Sequence, residues 1–434
     1  MSELSIEPEM PEEKLKELPV ERQPVKGRLK WVDMARGLIT LYLIVTISFP
    51  ENSLLGGYVG DIPIIGGLFT HAAAGTGRIT VFDLGAPLFI FILGFTMPIS
   101  FRKRKEEKGT NAAVKYILFR YLILFVLGFV IANFKLDFLN YYSVPDEIIY
   151  PFQGTVPLIH RPVLFILNWD VVFTIAISGL VGFLFMGVRN PKYRFFLAYG
   201  WLILYQIGLS VTTFQTYAFQ SVHGGLFTAI FGYGSIAIIA TAMGDYIFFS
   251  DIVATKKYRA LLLFGALNFI LPFIFYLGID DVQLQFFIEG FPISMHLANF
   301  SFVLTAVGLA SMLLWGFHEI ETRFKKNATW LRIFGMSSFL IFFIAWVPNA
   351  LFQIIMMRGL GINSPTQIPW YYSLSWGLIV IVYCSIVAWI MNKKNKQVST
   401  VKTSLIFLVT ILGILLIVIV LELTVGLGYL AIFN

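Results

Sequence analysis

Charge is what this chain has least of. Charged residues make up 13% of its 434 positions and hydrophobic residues 57%, where soluble domains carry about a quarter of their residues charged. That deficit excludes a soluble fold of this length. There is one cysteine, Cys384, so an intrachain disulfide and a thiolate metal site are both excluded. The five histidines stand at 71, 160, 223, 296 and 318, separations that give no metal-ligand spacing, and no metal is expected. No Walker loop, His-Glu-x-x-His helix or serine elbow occurs. Residues 1–26 lack an apolar core and are broken by proline; they read as a disordered cytoplasmic tail rather than a signal peptide.

What the chain has in quantity is apolar runs of bilayer length. They cover Trp31–Phe49, Leu84–Phe101, Ala113–Phe134, Val163–Met186, Tyr193–Thr212, Leu226–Phe249, Tyr258–Leu277, Asn299–Phe317, Leu331–Met356, Trp370–Met391 and Ser404–Ala431. The expectation is an all-α polytopic membrane bundle of about eleven spans. Bases cluster in alternate connections: Arg102–Lys105, then Arg189, Lys192 and Arg194, then Lys256, Lys257 and Arg259, then Arg323, Lys325 and Lys326, then Lys393, Lys394 and Lys396. This is the positive-inside pattern, and it puts the N-terminus in the cytoplasm and the C-terminus outside. It also accounts for the net charge of +7, so nucleic acid is not an expected partner. By the same count His71, His160, His223 and His296 face outside and His318 faces in.

The stretch from His71 to Lys105 joins two chemistries. A glycine-rich segment carries His71, an acid follows at Asp83, an apolar run leads inward, and four bases, Arg102, Lys103, Arg104 and Lys105, end it. Glycines between Pro50 and Thr80 allow the irregular backbone that membranes tolerate only around a covered site or cavity. A histidine titrates near neutrality and can take a proton from an attacking amine or hydroxyl, or itself carry an acyl group. It can equally be a loop histidine bonded to backbone. Asp83 orients such a histidine or holds the acceptor, or else serves its helix N-terminus. Asp33 and Arg36 share a face of the first helix. They form an interfacial pair, or Arg36 meets a phosphate at the inner face. Arg120, in the inner half of the third span, meets donor phosphates or pairs with Asp33 or Asp245. Asp170 is an acid in an apolar run, a functional candidate by default, and His296 is a second base or acceptor contact.

The order His71-Ala72, Asp83-Leu84, Pro87, Phe89, Phe91, Gly94, Pro98 and Ser100 before bases resembles the heparan-alpha-glucosaminide N-acetyltransferase family and its bacterial relatives. Asp33-Met34-Ala35-Arg36-Gly37, Gly224-Gly225-Leu226, and Pro292-Ile293-Ser294 with Asn299–Leu304 extend the resemblance, which runs from about Arg28 to Met391. It implies a multi-pass acyltransferase over 27–391, with an added helix in 392–434. The donor would be acetyl-CoA and the acceptor a sugar or glycolipid amine or hydroxyl. His71 and Asp83 would be catalytic. Arg36, Arg102, Lys103, Arg104 and Arg120 would hold the donor, and Asp170 and His296 the acceptor. The partners are then acyl-CoA, the acceptor and the bilayer of the cell membrane, with a homodimer among the assemblies open to it. The rival expectation is a secondary transporter coupling through Asp33, Arg36 and Asp170.

Overall fold

The computed structural model describes residues 29–48, 79–133, 147–150, 154–157, 169, 171–210, 214, 218, 224–277, 295, 297–326, 328–345, 348–349, 369–394 and 399–425. Helices dominate: α1 (Lys30–Ser48), α2 (Gly85–Lys108), α3 (Thr110–Asn133), α4 (Val171–Phe185), α5 (Pro191–Leu209), α6 (Tyr233–Phe249), α7 (Ala254–Leu277), α8 (Phe300–Thr322), α9 (Thr329–Met336), α10 (Trp370–Lys393) and α11 (Thr400–Val425). An antiparallel hairpin of β1 (Glu147–Tyr150) and β2 (Gly154–Pro157) lies in the connection between α3 and α4. Among the described residues five helical stretches, Phe82–Lys108, Thr110–Val130, Thr228–Phe249, Phe300–Thr322 and Leu374–Lys393, are long and apolar enough to cross a membrane. They carry apolar residues all round, the mark of a membrane span or a buried helix.

Two expected spans show local detail. Within the run Val163–Met186 the described helix is Val171–Phe185. Ahead of it Trp169 donates from Nε1 to the Thr174 hydroxyl at 2.8 Å and stacks on Phe173. The run Leu331–Met356 is not one helix. α9 stops at Met336, Ser337 leaves helical geometry at φ −133°, ψ 37°, and residues 338–345 start again.

The bundle is built round α6, whose apolar window is 83% buried, while that of α10 is only 22% buried. α10 instead turns Leu378, Ile379, Val382 and Ile386 outward, as α5 does Phe196 and Leu204 and α7 Leu263 and Leu267. Such faces suit lipid as solvent. Gly109, at φ 82°, makes the tight reversal between α2 and α3, a backbone conformation that favours glycine.

The basic helix ends gather at one end of the bundle. The start of α1 meets the ends of α6 and α8 and the start of α7. There Trp31 packs edge-on to Tyr258 and His318, which stack on each other at 3.4 Å, and touches Phe248. The Trp31 amide donates to Glu321 at 2.8 Å. The ends of α2 and α6 meet the start of α5 in a buried charge cluster. Arg102 donates to Asp245 Oδ1 at 2.7 Å and Arg194 to Oδ2 at 2.6 Å.

Candidate functional site: a cavity at the basic end

At this end a cavity of about 750 Å³ opens between α1, α2, α3, α4, α9 and the approach to α11. Its polar lining is Asp33, Arg36, Thr96, Ser100, Lys103, Arg120, Ser337, Ser338 and Ser399. Its apolar wall includes Phe89, Leu93, Leu124 and Ile175. From Lys103 to Phe89 the α2 axis runs about 21 Å at 1.5 Å per residue. The cavity is therefore deep, with charge near its basic end and hydrocarbon further in.

Three residues distant in sequence, Arg36, Lys103 and Arg120, come together here. Arg36 Nη1 lies 3.4 Å from Asp33 Oδ1 and 3.5 Å from the Gly335 carbonyl, and Nη2 lies 3.5 Å from the Thr96 hydroxyl. Its side chain is 17% exposed. What holds it there is a close crossing of α1 and α9. A Cβ on Gly37 would sit 1.7 Å from the Leu331 carbonyl oxygen, and one on Gly335 would sit 1.8 Å from that of Asp33. The glycine after Arg36 is thus a requirement of backbone-to-backbone packing.

Arg120 is different in kind. It lies ten residues, about 15 Å, into α3, inside a membrane-length apolar stretch. It pairs with neither Asp33, which takes Arg36, nor Asp245, which takes Arg102 and Arg194. Among the described residues it makes no ion pair or hydrogen bond, and its Nε is buried without a partner. Arg102 and Arg104 do not line the cavity. Arg102 is held by Asp245 and lies 3.6 Å over the Phe249 ring, and Arg104 lies 3.5 Å over Tyr116.

Asp83 stands at the far end of α2, six residues or about 9 Å beyond Phe89. It is 2% exposed. It closes a reciprocal box with Thr80: the Thr80 amide donates to Asp83 Oδ2 at 2.8 Å, and the Asp83 amide to the Thr80 hydroxyl at 3.4 Å. This is the helix-start role, satisfying amides a helix leaves open. Tyr42 and Tyr233 lie within the electrostatic reach of Asp83. His71, Asp170 and His296 lie outside the described residues. The chain on either side of His296 is tethered, with Tyr233 donating to the Met295 carbonyl at 3.4 Å and Tyr205 to that of Leu297 at 2.6 Å.

Sequence reading missed two features. Arg194, 1% exposed, was an ordinary inner-loop base; its signal was Asp245, an acid near the end of an apolar run. Ser337 and Ser338 carried no signal, because two serines do not by themselves mark a helix break. No protein-family profile and no curated protein matches the chain.

Proposed function

We propose that this is a multi-pass membrane acyltransferase. It takes an acyl group, acetyl by resemblance, from acyl-CoA on the cytoplasmic side and passes it to an amine or hydroxyl on the opposite side, on a sugar or glycolipid. The observation that carries the donor half is Arg120. Charged groups inside membrane helices pair with each other or face a cavity, and leaving one uncompensated costs several kcal/mol. Arg120 has no acid among the described residues and lines a deep cavity with two other cations. An anionic ligand supplies what the protein withholds. CoA has the matching form, with phosphates for the charged end and a long arm for the apolar depth.

In this reading the N-terminus is cytoplasmic, about eleven spans cross the cell membrane, and the C-terminus lies outside. The donor's phosphates sit at Arg36, Lys103 and Arg120, and its thioester points toward the Asp83 end. His71 takes the proton as the acceptor nitrogen or oxygen bonds to the thioester carbonyl carbon. The carbon–sulfur bond breaks, and the proton passes to the departing CoA sulfur. Asp83 orients His71 or the acceptor. Asp170 and His296 are acceptor contacts. Arg102 and Arg104 form the basic surface by which the donor approaches.

The test uses sealed, oriented vesicles. Acetyl-CoA supplied on the cytoplasmic side alone should support transfer to an acceptor supplied on the other side alone. Equal transfer with both substrates confined to one side would rule out a site reaching across the bilayer. A second reading, a transporter for a small organic anion, is favoured by the break at Ser337, because discontinuous helices line transporter sites. Uptake of acetyl-CoA or phosphate analogues into proteoliposomes without acyl transfer would select it.

A further inference from the structure

We propose that the break between α9 and residues 338–345 is a phosphate subsite of the cavity, built from helix-start amides and two serine hydroxyls facing three cations. It rests on the reading that the cavity takes an anionic donor, and names the part that would grip it.

Ser337 is the cap of the second half-helix, since its carbonyl accepts the first bond of that segment, from the Ile341 amide at 3.0 Å. The first-turn amides ahead of Ile341 have no acceptor within the segment. They carry the positive end of the helix dipole and suit an anion. Met336, Ser337, Ser338 and Phe339 all line the cavity, so this helix start is at its wall.

The hydroxyls are the independent observation. Ser337 and Ser338 are each only 7% exposed, and both line the cavity. Helical hydroxyls elsewhere in the bundle bond back to their own chain: Thr40 to Arg36, Thr96 to Ile92, Thr305 to Ser301. Neither Ser337 nor Ser338 makes a side-chain hydrogen bond among the described residues. The Ser301 and Ser311 hydroxyls are also unpartnered, but they do not line this cavity. Ser337 and Ser338 can each donate to an oxyanion.

Charge agrees with geometry. Among the described lining residues, Arg36, Lys103 and Arg120 stand against the single acid Asp33. The Arg36 guanidinium lies against the Gly335 carbonyl at the end of α9. A cation at the closing end of the first half-helix thus leaves the opening of the second to an anion, as in discontinuous membrane helices. The backbone contact of Gly37 with Gly335 fixes both half-helix ends beside Arg36. The ligand group is a phosphate ester or diphosphate, whether it belongs to CoA or to a lipid.

Binding to the solubilised full chain tests this with CoA, pantetheine, inorganic pyrophosphate and phosphatidic acid micelles. Pyrophosphate should displace CoA, and pantetheine should not. The double variant Ser337→Ala, Ser338→Ala should bind CoA and pyrophosphate about tenfold or more weakly, the worth of lost hydrogen bonds to a charged group. Ser338→Asp should abolish both. CoA bound equally by wild type and double variant would overturn the subsite and leave the acyltransferase reading standing. CoA not bound, but pyrophosphate or phosphatidic acid bound and lost in the variants, would uphold the subsite and remove the CoA donor. No phosphate probe bound by wild type would overturn the subsite. If the double variant does not fold, Ser338→Cys in a Cys384→Ala background reads the same contact. Pyrophosphate should protect it from a thiol reagent, and unchanged labelling counts against the proposal.

Discussion

At the scale of single residues, the basic side chains of this chain divide by what balances them. Asp245 holds Arg102 and Arg194 at 2.7 and 2.6 Å, whereas Arg120 has no acid among the described residues. Removing one member of a buried charge cluster leaves the others uncompensated, at about 3–5 kcal/mol. Asp245→Asn should therefore lower the thermal midpoint sharply, with no specific effect on donor affinity in whatever folds. Arg120→Gln should act oppositely. It removes an uncompensated charge, so the midpoint should hold or rise, while CoA affinity falls about tenfold. A fall in the midpoint of Arg120→Gln would mean that the arginine is structural. His71→Ala belongs at this scale too. It should lower turnover by about 10²–10⁴, the range for a general acid or base, and leave CoA binding intact. A wild-type rate would move the base to His296.

At the scale of elements, the pairing of α1 with α9 decides the site. The Gly37–Gly335 contact is backbone on backbone, so no side-chain movement can relieve an added methyl. Gly335→Ala should cost at least the ~1–3 kcal/mol of ordinary overpacking, and it should weaken CoA binding by shifting Arg36 relative to Ser337. Gly316, in α8, provides the contrast. A Cβ there meets nothing within 4 Å, so Gly316→Ala should be neutral or stabilising by up to ~1 kcal/mol. Thermal melts of the two variants give the comparison directly, and equal losses would mean that the crossing is looser than drawn. The same crossing lies two residues before the point where a run that reads as one span divides into two half-helices. α9 ends where it presses on α1, and the chain restarts at Ser338 with the cavity in front of it.

At the scale of the whole molecule, the gathered basic ends argue for one orientation in the membrane. The starts of α1, α5 and α7 and the ends of α2, α6 and α8 share one end of the bundle, tied by Trp31, His318 and Asp245. Neighbouring spans run antiparallel, and in the proposed reading their bases face the cytoplasm by the positive-inside rule. In a Cys384→Ala background, cysteines at Gly57, Ser221 and Asp281 should react with an impermeant thiol reagent from outside intact cells, and one at Lys257 should not. Labelling at Lys257 from outside would invert the bundle and with it the side from which the donor enters.

The sequence by itself determined the solvent, the helices and the end at which charge collects. Apolar runs and clustered bases are local signals, and transfer into lipid acts on them run by run. It also marked Asp33, Arg36, Lys103, Arg120 and Asp83 as residues to watch, because charge in or beside an apolar run is costly wherever the run ends up. Which of these charges balance each other was decided only in the tertiary structure. Asp245 takes Arg102 and Arg194, Asp33 takes Arg36, and Arg120 is left to the cavity, and those choices depend on which helices are neighbours. The helix break at Ser337 was equally invisible in the sequence, since an apolar run with two serines satisfies every local rule for a single span. It lies two residues past Gly335, whose backbone contact with α1 no local pattern records.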